Sequence, residues 1–436
     1  MSESGPWRSY KEKVAGLSQR VVDAQRPIRL LNSIRWGPEV EAELRRQKWK
    51  GLPPVDRAFY EANDPGFDPV GLGATFADLR ADVVRELGDT DDIGRILAET
   101  CDEYRQVCRM VEVRGTKEFY ELSRTLYGSS RDTFADGKTT VRDLGMLQYE
   151  ILTNLDVDAL GPVPPRDLDA AAGVRILNDR FAAVFGEEVV MTKLDDGIVA
   201  DAAAGADYVK LREGASFSLR DLDLLEVHEG WVHVGTALNG QSQPVARWLA
   251  KGPPRAASVQ EGLASLVETL TFRSYPRRAR RLNDRILSVN KAEDGASFAD
   301  VFEWFRTEGY EESECFASTR RIFRGGLVEG GAPFTKDLTY CTGLVQTYNF
   351  IRSAIRLGRP ELIPFLFVGK LALEDIPALW ERSRDRTVLP PKFLPPPFRD
   401  LNGIAVWMGY STFLAGMHLP AVEDHYRKLL RVVTGA

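Results

Sequence analysis

The sequence FSLRDLDLLEVHEGWVHVGTALNG, residues 217–240, predicts the helix around which the rest of the fold is arranged. Ser218 and Asp221 have the spacing of a capping box, in which two side chains satisfy backbone donors at the start of a helix. Apolar residues then recur at intervals of three and four, the period of a helix with one buried face. Asn239 and Gly240 are residue types that tolerate the left-handed conformation that ends many helices. We therefore expect one helix from Ser218 to Asn239-Gly240.

Three side chains of this helix, His228, Glu229 and His233, form the pattern His-Glu-x-x-x-His. A hydrolytic metal site needs imidazole nitrogens as ligands and a carboxylate beside the metal-bound water, and this pattern supplies both. The chain has only 4 histidines in 436 residues, so the pairing is improbable by chance. The alternative is a hydrogen-bonded core histidine at 228, a solvent-facing His233 and an ordinary surface charge at Glu229. We interpret the pattern as the metal centre of a hydrolase, with Glu229 as the carboxylate beside the metal-bound water.

The spacing of the two histidines requires a distorted helix. Zinc proteases usually have histidines four residues apart, whereas His228 and His233 are five apart. On a regular helix, five residues leave the second imidazole roughly 140° from the first. One extra residue in the turn, a π-bulge, would restore the alignment, and Gly230 lowers the cost of that distortion. We predict a π-bulge between His228 and His233.

A catalytic zinc needs a third protein ligand and one open position. Glu261 lies near the start of a second predicted helix, from about residue 256 to 272, and is the candidate for that ligand. The alternative is that Ser258 and Glu261 form another capping box, in which the glutamate only returns to the helix start. Glu268, two turns further along the same face, is the next candidate ligand or a second-shell partner for an imidazole N–H.

Composition limits the classes of protein that the chain can represent. With 436 residues, 44% of them hydrophobic, it can bury a large core. A net charge of −6 and a pI near 5.6 argue against a nucleic-acid partner. The N-terminus has no apolar segment typical of a secretory signal, and the longest apolar run, 362–368, is too short to cross a bilayer. We expect a cytoplasmic protein without a membrane partner, and the oligomeric state stays unknown.

Helical periods dominate residues 72–127 and return after residue 276, whereas EVVMTKL (188–194) and ADYVKLRE (206–213) favour strands. The second strand has the alternation of an edge strand, which could hold an extended peptide through backbone hydrogen bonds. These patterns predict a mainly helical α+β fold, a zincin-like metallopeptidase with a small sheet beside the metal helix. We expect a helical N-terminal region, 1–160, and a catalytic region, 161–436, which could also form one continuous unit.

The segments VHEGWVHVGTALNG (227–240) and SVQEGLA (258–264) resemble the bacterial QEGLA-motif proteins, described as modulators of flavohaemoglobin expression, and the related microtubule-associated tyrosine carboxypeptidases. The resemblance also takes in residues 52–71, 113–134 and 324–352, and so covers nearly the whole chain. Vertebrate members of the family remove a C-terminal tyrosine from tubulin. The composition of this chain gives no sign of a microtubule partner.

The resemblance implies a zinc peptidase in which His228, His233 and Glu261 bind the metal and Glu229 is the general base. Its substrate would be the C-terminus of a peptide or protein. Such an enzyme removes a C-terminal residue by Glu-assisted attack of zinc-bound water. Two alternatives stay open: a zinc amidohydrolase acting on a small or modified peptide metabolite, and a non-catalytic regulatory protein with a structural metal site.

A carboxypeptidase needs a cation for the terminal carboxylate and a donor for the developing oxyanion. Arg324 and Lys336 are candidate partners of the carboxylate, and Tyr340 is the candidate catalytic donor. Tyr348 and Arg212 are further candidate substrate contacts. For each of these residues the alternative is ordinary packing or a surface charge.

Overall fold

The structure, a computed structural model, describes residues 5–427 apart from 197 and 199. Most of these residues are helical and the strands are short, so the mainly helical α+β class predicted from the sequence is confirmed. The α-helices are α1 (Gly5–Gln25), α2 (Leu30–Ser33), α3 (Pro38–Arg46), α4 (Arg57–Glu61), α5 (Pro69–Leu87), α6 (Asp92–Glu112), α7 (Lys117–Tyr127), α8 (Val141–Thr153), α9 (Ala170–Phe185), α10 (Leu219–Leu225), α11 (Gly235–Gln241), α12 (Ala256–Leu270), α13 (Pro276–Glu293), α14 (Phe298–Thr307), α15 (Glu312–Phe323), α16 (Thr339–Arg356), α17 (Ile376–Glu381), α18 (Pro396–Arg399), α19 (Asn402–Leu414) and α20 (Leu419–Arg427).

A π-helix, Glu226–Val234, joins α10 to α11. The strands are β1 (Leu168–Asp169), β2 (Met191–Asp195), β3 (Ala202–Ala204), β4 (Tyr208–Arg212) and β5 (Ser216–Phe217). Short 3₁₀ segments lie at Asp158–Leu160, Arg247–Ala250, Lys336–Leu338, Pro360–Phe367 and Leu373–Asp375. Among the described helices, none combines the length and the apolar character that crossing a bilayer requires.

The predicted helix begins where the sequence indicates but ends differently. Ser218 and Asp221 form the capping box, each side chain accepting a hydrogen bond from the other residue's backbone N–H. The predicted end at Asn239-Gly240 is wrong, because α11 continues to Gln241. A Cβ on Gly240 would lie 2.2 Å from the carbonyl oxygen of Leu249, so this glycine permits a close backbone approach instead of a left-handed turn. Asn239 is fully buried and anchors the loops that pack on this helix.

The small sheet has the strand order β2-β4-β3, and β1 and β5 form a separate antiparallel pair. Thr192 of β2 lies opposite Val209 in the parallel pairing, and Ala203 of β3 lies opposite Lys210 in the antiparallel pairing. The prediction of an edge strand at residues 206–213 is therefore wrong, since β4 has a partner on each side. β2 and β3 take the two edges. The three alanines of β3 have low strand propensity, which is why the sequence pattern does not indicate this strand.

Helices α12 and α16 cross in backbone contact. A Cβ built on Gly262 would lie 1.9 Å from the carbonyl carbon of Gly343, and one on Gly343 would lie 1.8 Å from the carbonyl oxygen of Ser258. Only glycine at both positions allows this approach. The crossing brings Glu261, next to Gly262, close to the start of α16.

Two hydrophobic cores hold the helices together. The larger joins α1, α5 and α6 to α9, the π-helix, α12 and α16, and the smaller joins α3 and α7 to α13, α14 and α15. Each core therefore contains residues from both sides of position 160. The division into two regions at that position stays a prediction.

Replacing Gly262 by alanine tests the crossing. We expect Gly262→Ala to lower the unfolding temperature by several degrees, because forcing atoms into packed structure costs about 1–3 kcal/mol, more than the ~1 kcal/mol that alanine gains in a helix. Gly16→Ala is the matched control, since a Cβ there meets nothing within 4 Å on the exposed face of α1. It should leave the unfolding temperature unchanged or raise it. An equal response of the two variants in a thermal melt would contradict the backbone contact.

Candidate metal centre

The π-helix brings the two histidines of the motif together. His228 and His233 lie on Glu226–Val234, where the wider turn replaces the α-helical one. Their ring centroids are 4.8 Å apart and their planes are nearly perpendicular, at 87°. The predicted distortion between His228 and His233 is thus confirmed.

Gly230, inside the motif, is required by packing. A Cβ at this position would lie 2.1 Å from Cε1 of Phe181, a fully buried ring on α9. The glycine therefore lets α9 approach the π-helix closely. This contact holds the distorted segment against the larger hydrophobic core, where Val232 is also fully buried.

Glu261 meets both histidines from α12. Its Oε2 lies 3.7 Å from Nε2 of His228 and 3.5 Å from Nε2 of His233. One donor atom from each of the three residues lies within 4.8 Å of the other two, and we call this set the His–Glu cluster. The capping-box alternative for Glu261 is wrong, because α12 begins at Ala256 and the Ser258 hydroxyl donates to Gln346 on α16.

The two distances from Glu261 to the histidines suit a tetrahedral ion, while the three donor atoms as a set lie within 4.8 Å of one another. Zinc binds imidazole nitrogen and carboxylate oxygen at about 2.0–2.2 Å, so two of its ligands at a tetrahedral angle are roughly 3.4 Å apart. The 3.5 and 3.7 Å separations lie near that value and are longer than the ~2.7–3.2 Å of an ordinary N–H···O hydrogen bond. Two nitrogens and one oxygen also match the donor types of three-ligand zinc sites.

Glu268 and Arg278 orient His228. Nδ1 of His228 lies 2.6 Å from Oε1 of Glu268, and because a carboxylate only accepts, the proton is assigned to Nδ1. Nε2 is then left to face Glu261. Arg278 donates to Oε1 of Glu268 at 3.0 Å and balances the charge of this fully buried carboxylate. A carboxylate behind an imidazole is the usual second contact of a metal-binding histidine.

The charges in this region shift the titration of these groups. Burial lowers the pKa of His228, but the carboxylates of Glu261 and Glu268 outweigh it and raise the pKa to about 9. For Glu268, burial raises the pKa, but Arg278 and His228 outweigh it and hold the pKa at about 2. Burial likewise raises the pKa of Glu261, yet the two histidines and Lys336 keep it well below its ordinary value. Both carboxylates are therefore anionic at neutral pH.

Lys336 and Tyr340 lie beside the His–Glu cluster. Nζ of Lys336 is 3.7 Å from Oε1 of Glu261, so the lysine pairs with the oxygen that faces away from the histidines. The Tyr340 ring stacks with the imidazole of His228 at 6.4 Å between centroids. Burial, with a contribution from Glu261, raises the pKa of Tyr340 to about 12, so its phenol keeps a proton to donate.

The side chain of Glu229 is held by the edge strand β3. The N–H of Gly205 donates to Tyr208 on β4, so by antiparallel alternation the backbone of Ala204 faces the opposite way. The N–H of Ala204 donates to Oε2 of Glu229 at 3.0 Å. By the same alternation the backbone of Ala202 faces the side on which Glu229 lies, and β3 forms a wall of the cleft.

A cleft of about 620 Å³ contains His228, His233, Glu229 and Glu261 in its lining. Apolar side chains from the N-terminal segment and Tyr104 and Tyr127 from α6 and α7 form another part of its wall. Five basic side chains also line it: Lys251, Arg321, Arg324, Lys336 and Lys370.

Arg324 and Lys336 are the members of this basic group that the sequence predicts, whereas Lys251, Arg321 and Lys370 carry no local pattern. Lys251, Arg321 and Lys370 come from three separate segments, and only the tertiary fold brings them together. Burial lowers the pKa of Lys251 to about 8 and lowers the pKa of Lys370 as well, so both cations are partly desolvated. A cleft with such a wall favours an anionic group on the bound molecule.

Arg324 differs from the other arginine of the cleft. Arg321 donates two hydrogen bonds of 2.7 Å to Asp337 and is neutralised. Nε of Arg324 is buried without a hydrogen-bond partner among the described residues. Burial lowers the pKa of Arg324 to about 10, and its guanidinium lies 5.8 Å from the Phe334 ring centroid.

Tyr348 and Arg212 lie outside the cleft lining. Tyr348 is two turns beyond Tyr340 on α16, and its hydroxyl donates to Ser411 at 2.8 Å. Nη2 of Arg212 donates to Asp201 at 2.6 Å. The side chains of Tyr348 and Arg212 are thus each hydrogen-bonded to a neighbouring part of the fold.

No curated protein matches this chain. Among solved structures, metallocarboxypeptidase 1 of Trypanosoma cruzi is similar with a TM-score of 0.37 and 14% identity, over 90% of this chain and 97% of that chain. The profile of the family described as "Microtubule-associated tyrosine carboxypeptidase" matches residues 42–416. Because this match spans most of the sequence, the chain belongs to the microtubule-associated tyrosine carboxypeptidase family.

Proposed function

We propose that this chain is a zinc-dependent carboxypeptidase of zincin-like design that removes a C-terminal residue from a peptide or protein. The observation that carries the proposal is the His–Glu cluster in the lining of a cleft, with Glu229 adjacent to it on the same helix. Membership of a family named for a carboxypeptidase supports the same reaction class.

In this proposal His228, His233 and Glu261 hold the zinc. Three protein donors leave one position open, whereas structural zinc sites usually have four protein ligands that include cysteine. Three of the four cysteines are buried elsewhere in the fold, and Cys341 is not a member of the His–Glu cluster. When bound, zinc would polarise the scissile carbonyl and acidify the attacking water.

Glu229 acts as the general base. The hydrogen bond from Ala204 to its Oε2 fixes the carboxylate beside the His–Glu cluster. Glu229 takes a proton from the attacking water and then gives it to the leaving amine nitrogen, so that both steps use one carboxylate. The adjacent edge of β3 could align the backbone of an extended substrate by strand addition.

Tyr340 donates a hydrogen bond from its phenol to the oxygen that becomes negative in the transition state. It stacks on His228, and its raised pKa keeps the donor protonated at neutral pH. Donors that are already oriented toward a developing charge account for a large part of the rate enhancement in acyl transfer. Lys336 holds Glu261 in place from the opposite oxygen.

Arg324 binds the terminal carboxylate of the substrate. Lys336 is paired with Glu261 and Arg321 with Asp337, so these two charges are already balanced. Arg324 is the cleft arginine whose buried Nε lacks a partner among the described residues. A guanidinium can hold a carboxylate through two parallel hydrogen bonds, which gives orientation as well as affinity.

Replacing Glu229 or Glu261 by glutamine removes the charge of that side chain and should distinguish a general base from a metal ligand. We expect the protein to hold about one zinc, and Glu229→Gln to retain it while losing at least about 100-fold in turnover, the usual contribution of a general base. Glu261→Gln should lose both zinc and turnover, because a neutral amide is a weaker ligand than a carboxylate. Zinc content by elemental analysis and hydrolysis of a peptide by mass spectrometry give the two readouts.

The matched control is Glu329→Gln, the same change at an exposed glutamate, which should keep both properties. Circular dichroism establishes that each variant is folded. Full zinc content in Glu261→Gln would contradict its role as a ligand, and full turnover in Glu229→Gln would contradict its role as the base.

Paired peptides with a free and an amidated C-terminus should test Arg324. The unmodified protein should cleave the free peptide at least about 10-fold faster in kcat/KM, and Arg324→Met should raise KM for the free peptide and remove most of this preference, since a charge-assisted pair is lost. Arg320→Met, on the preceding turn and outside the cleft lining, is the control. If the unmodified protein cleaves both peptides equally, it is not a carboxypeptidase. If Arg324→Met slows both equally, Arg324 has a different role.

A further inference from the structure

Arg285 of α13 contacts the ring of Tyr340 without lining the catalytic cleft. The central carbon of its guanidinium lies 4.2 Å from the centroid of that ring. This distance is well inside the ~6 Å within which an aromatic face attracts a cation. Tyr340 belongs to the cleft lining and Arg285 does not, so the arginine lies behind the phenol.

The orientation of the Tyr340 phenol depends on contacts of its ring. The hydroxyl makes no hydrogen bond to another described residue, so no such bond fixes its direction. The imidazole of His228 stacks with the ring at 6.4 Å between centroids, and the guanidinium of Arg285 is closer. A donor contributes most to a reaction when it is oriented before the charge develops. The group that restrains this ring therefore bears on the reaction.

Ion pairing does not account for the position of Arg285. Its ion pair with Asp337 is long, with Nε 3.9 Å from Oδ2. Asp337 already accepts two hydrogen bonds of 2.7 Å from Arg321. Nη1 of Arg285 is buried and lacks a hydrogen-bond partner among the described residues. The contact with the ring is thus the short interaction that this guanidinium makes.

The contact joins α13 to the start of α16. Asp337 lies in the 3₁₀ segment that leads into α16, and Tyr340 lies in the first turn of that helix. Arg285 contacts both residues from α13, and its side chain is only 20% exposed. A cation–aromatic pair that is largely removed from water is stronger than an exposed one.

We propose that Arg285 is a positioning residue, which holds the phenol of Tyr340 toward the oxygen of the scissile carbonyl. The inference rests on the proposed carboxypeptidase function, in which Tyr340 donates a hydrogen bond to that oxygen. Arg285 acts on the reaction only through the ring that it contacts.

Fluorine NMR tests the restraint of the ring without any turnover. The full chain is prepared with 3-fluorotyrosine at its tyrosines, and Tyr340→Phe identifies the resonances of this residue. In Arg285→Met, exchange between the two fluorine positions of the Tyr340 ring should become about 10-fold faster, because a desolvated cation–aromatic contact is lost. Removing a nearby charge without freeing the ring would shift the resonances but would not accelerate this exchange.

The matched control is Arg277→Met, the same change at an arginine of α13 whose side chain is 67% exposed. It should leave the exchange unchanged. Circular dichroism establishes that each variant is folded, and Arg285→Gln replaces Arg285→Met if that variant is not. Exchange at the unmodified rate in the folded Arg285 variant would overturn the proposal.

Kinetics of a double-mutant cycle test whether the restraint matters for the reaction. Arg285→Met should lower kcat about 10-fold and change KM for the free peptide by less than about twofold, since the donor acts on the transition state. In the Tyr340→Phe background the same substitution should change kcat by less than about twofold, because no donor is left to position. An equal loss of kcat in both backgrounds would overturn the proposal. If the unmodified chain hydrolyses no peptide, the proposed function fails, and the exchange rate still decides whether Arg285 holds Tyr340.

Discussion

Two imidazoles five residues apart can face one point only if the helix that carries them is wider than an α-helix. The π-helix at Glu226–Val234 meets this requirement, and the regular helices α10 and α11 flank it on both sides. Such a segment is unfavourable by itself, so it depends on packing. The contact between Gly230 and Phe181 supplies part of that packing. The arrangement of α12, β3 and the cleft around this segment then determines which groups the two histidines meet.

Buried charge is the second constraint on this region. Glu261 and Glu268 lie on one face of α12, and buried carboxylates are stable only when paired. Lys336 pairs with the first and Arg278 with the second, while His228 lies between the two acids. Because Glu268 occupies Nδ1 of His228, the opposite nitrogen faces Glu261. The ion pairs therefore determine the orientation of the imidazole as well as the charge of the region.

The sequence is informative where the chemistry is local. If His228 and His233 face one point, their offset requires a π-turn, and the seven-residue step from Glu261 predicts that Glu268 shares its helix face. The sequence contains no local pattern that indicates contacts between distant segments. Ala202–Ala204 has the composition of a helix or a loop, and it is a strand only because β4 pairs with it. Lys370 follows an ordinary apolar run, and nothing nearby in the sequence relates it to the histidines.

The position of the third donor shows what a motif can and cannot specify. Helical spacing gives the direction in which Glu261 points, but its distance from the histidines depends on how α12 packs. In this fold that packing includes the contact of Gly262 with Gly343 on α16, a residue far away in the sequence. A side chain at either glycine would move α12 relative to α16, although neither residue touches the histidines. Glu261 and Gly262 therefore act as one unit, in which the first residue supplies a donor atom and the second permits the approach that helps to position it.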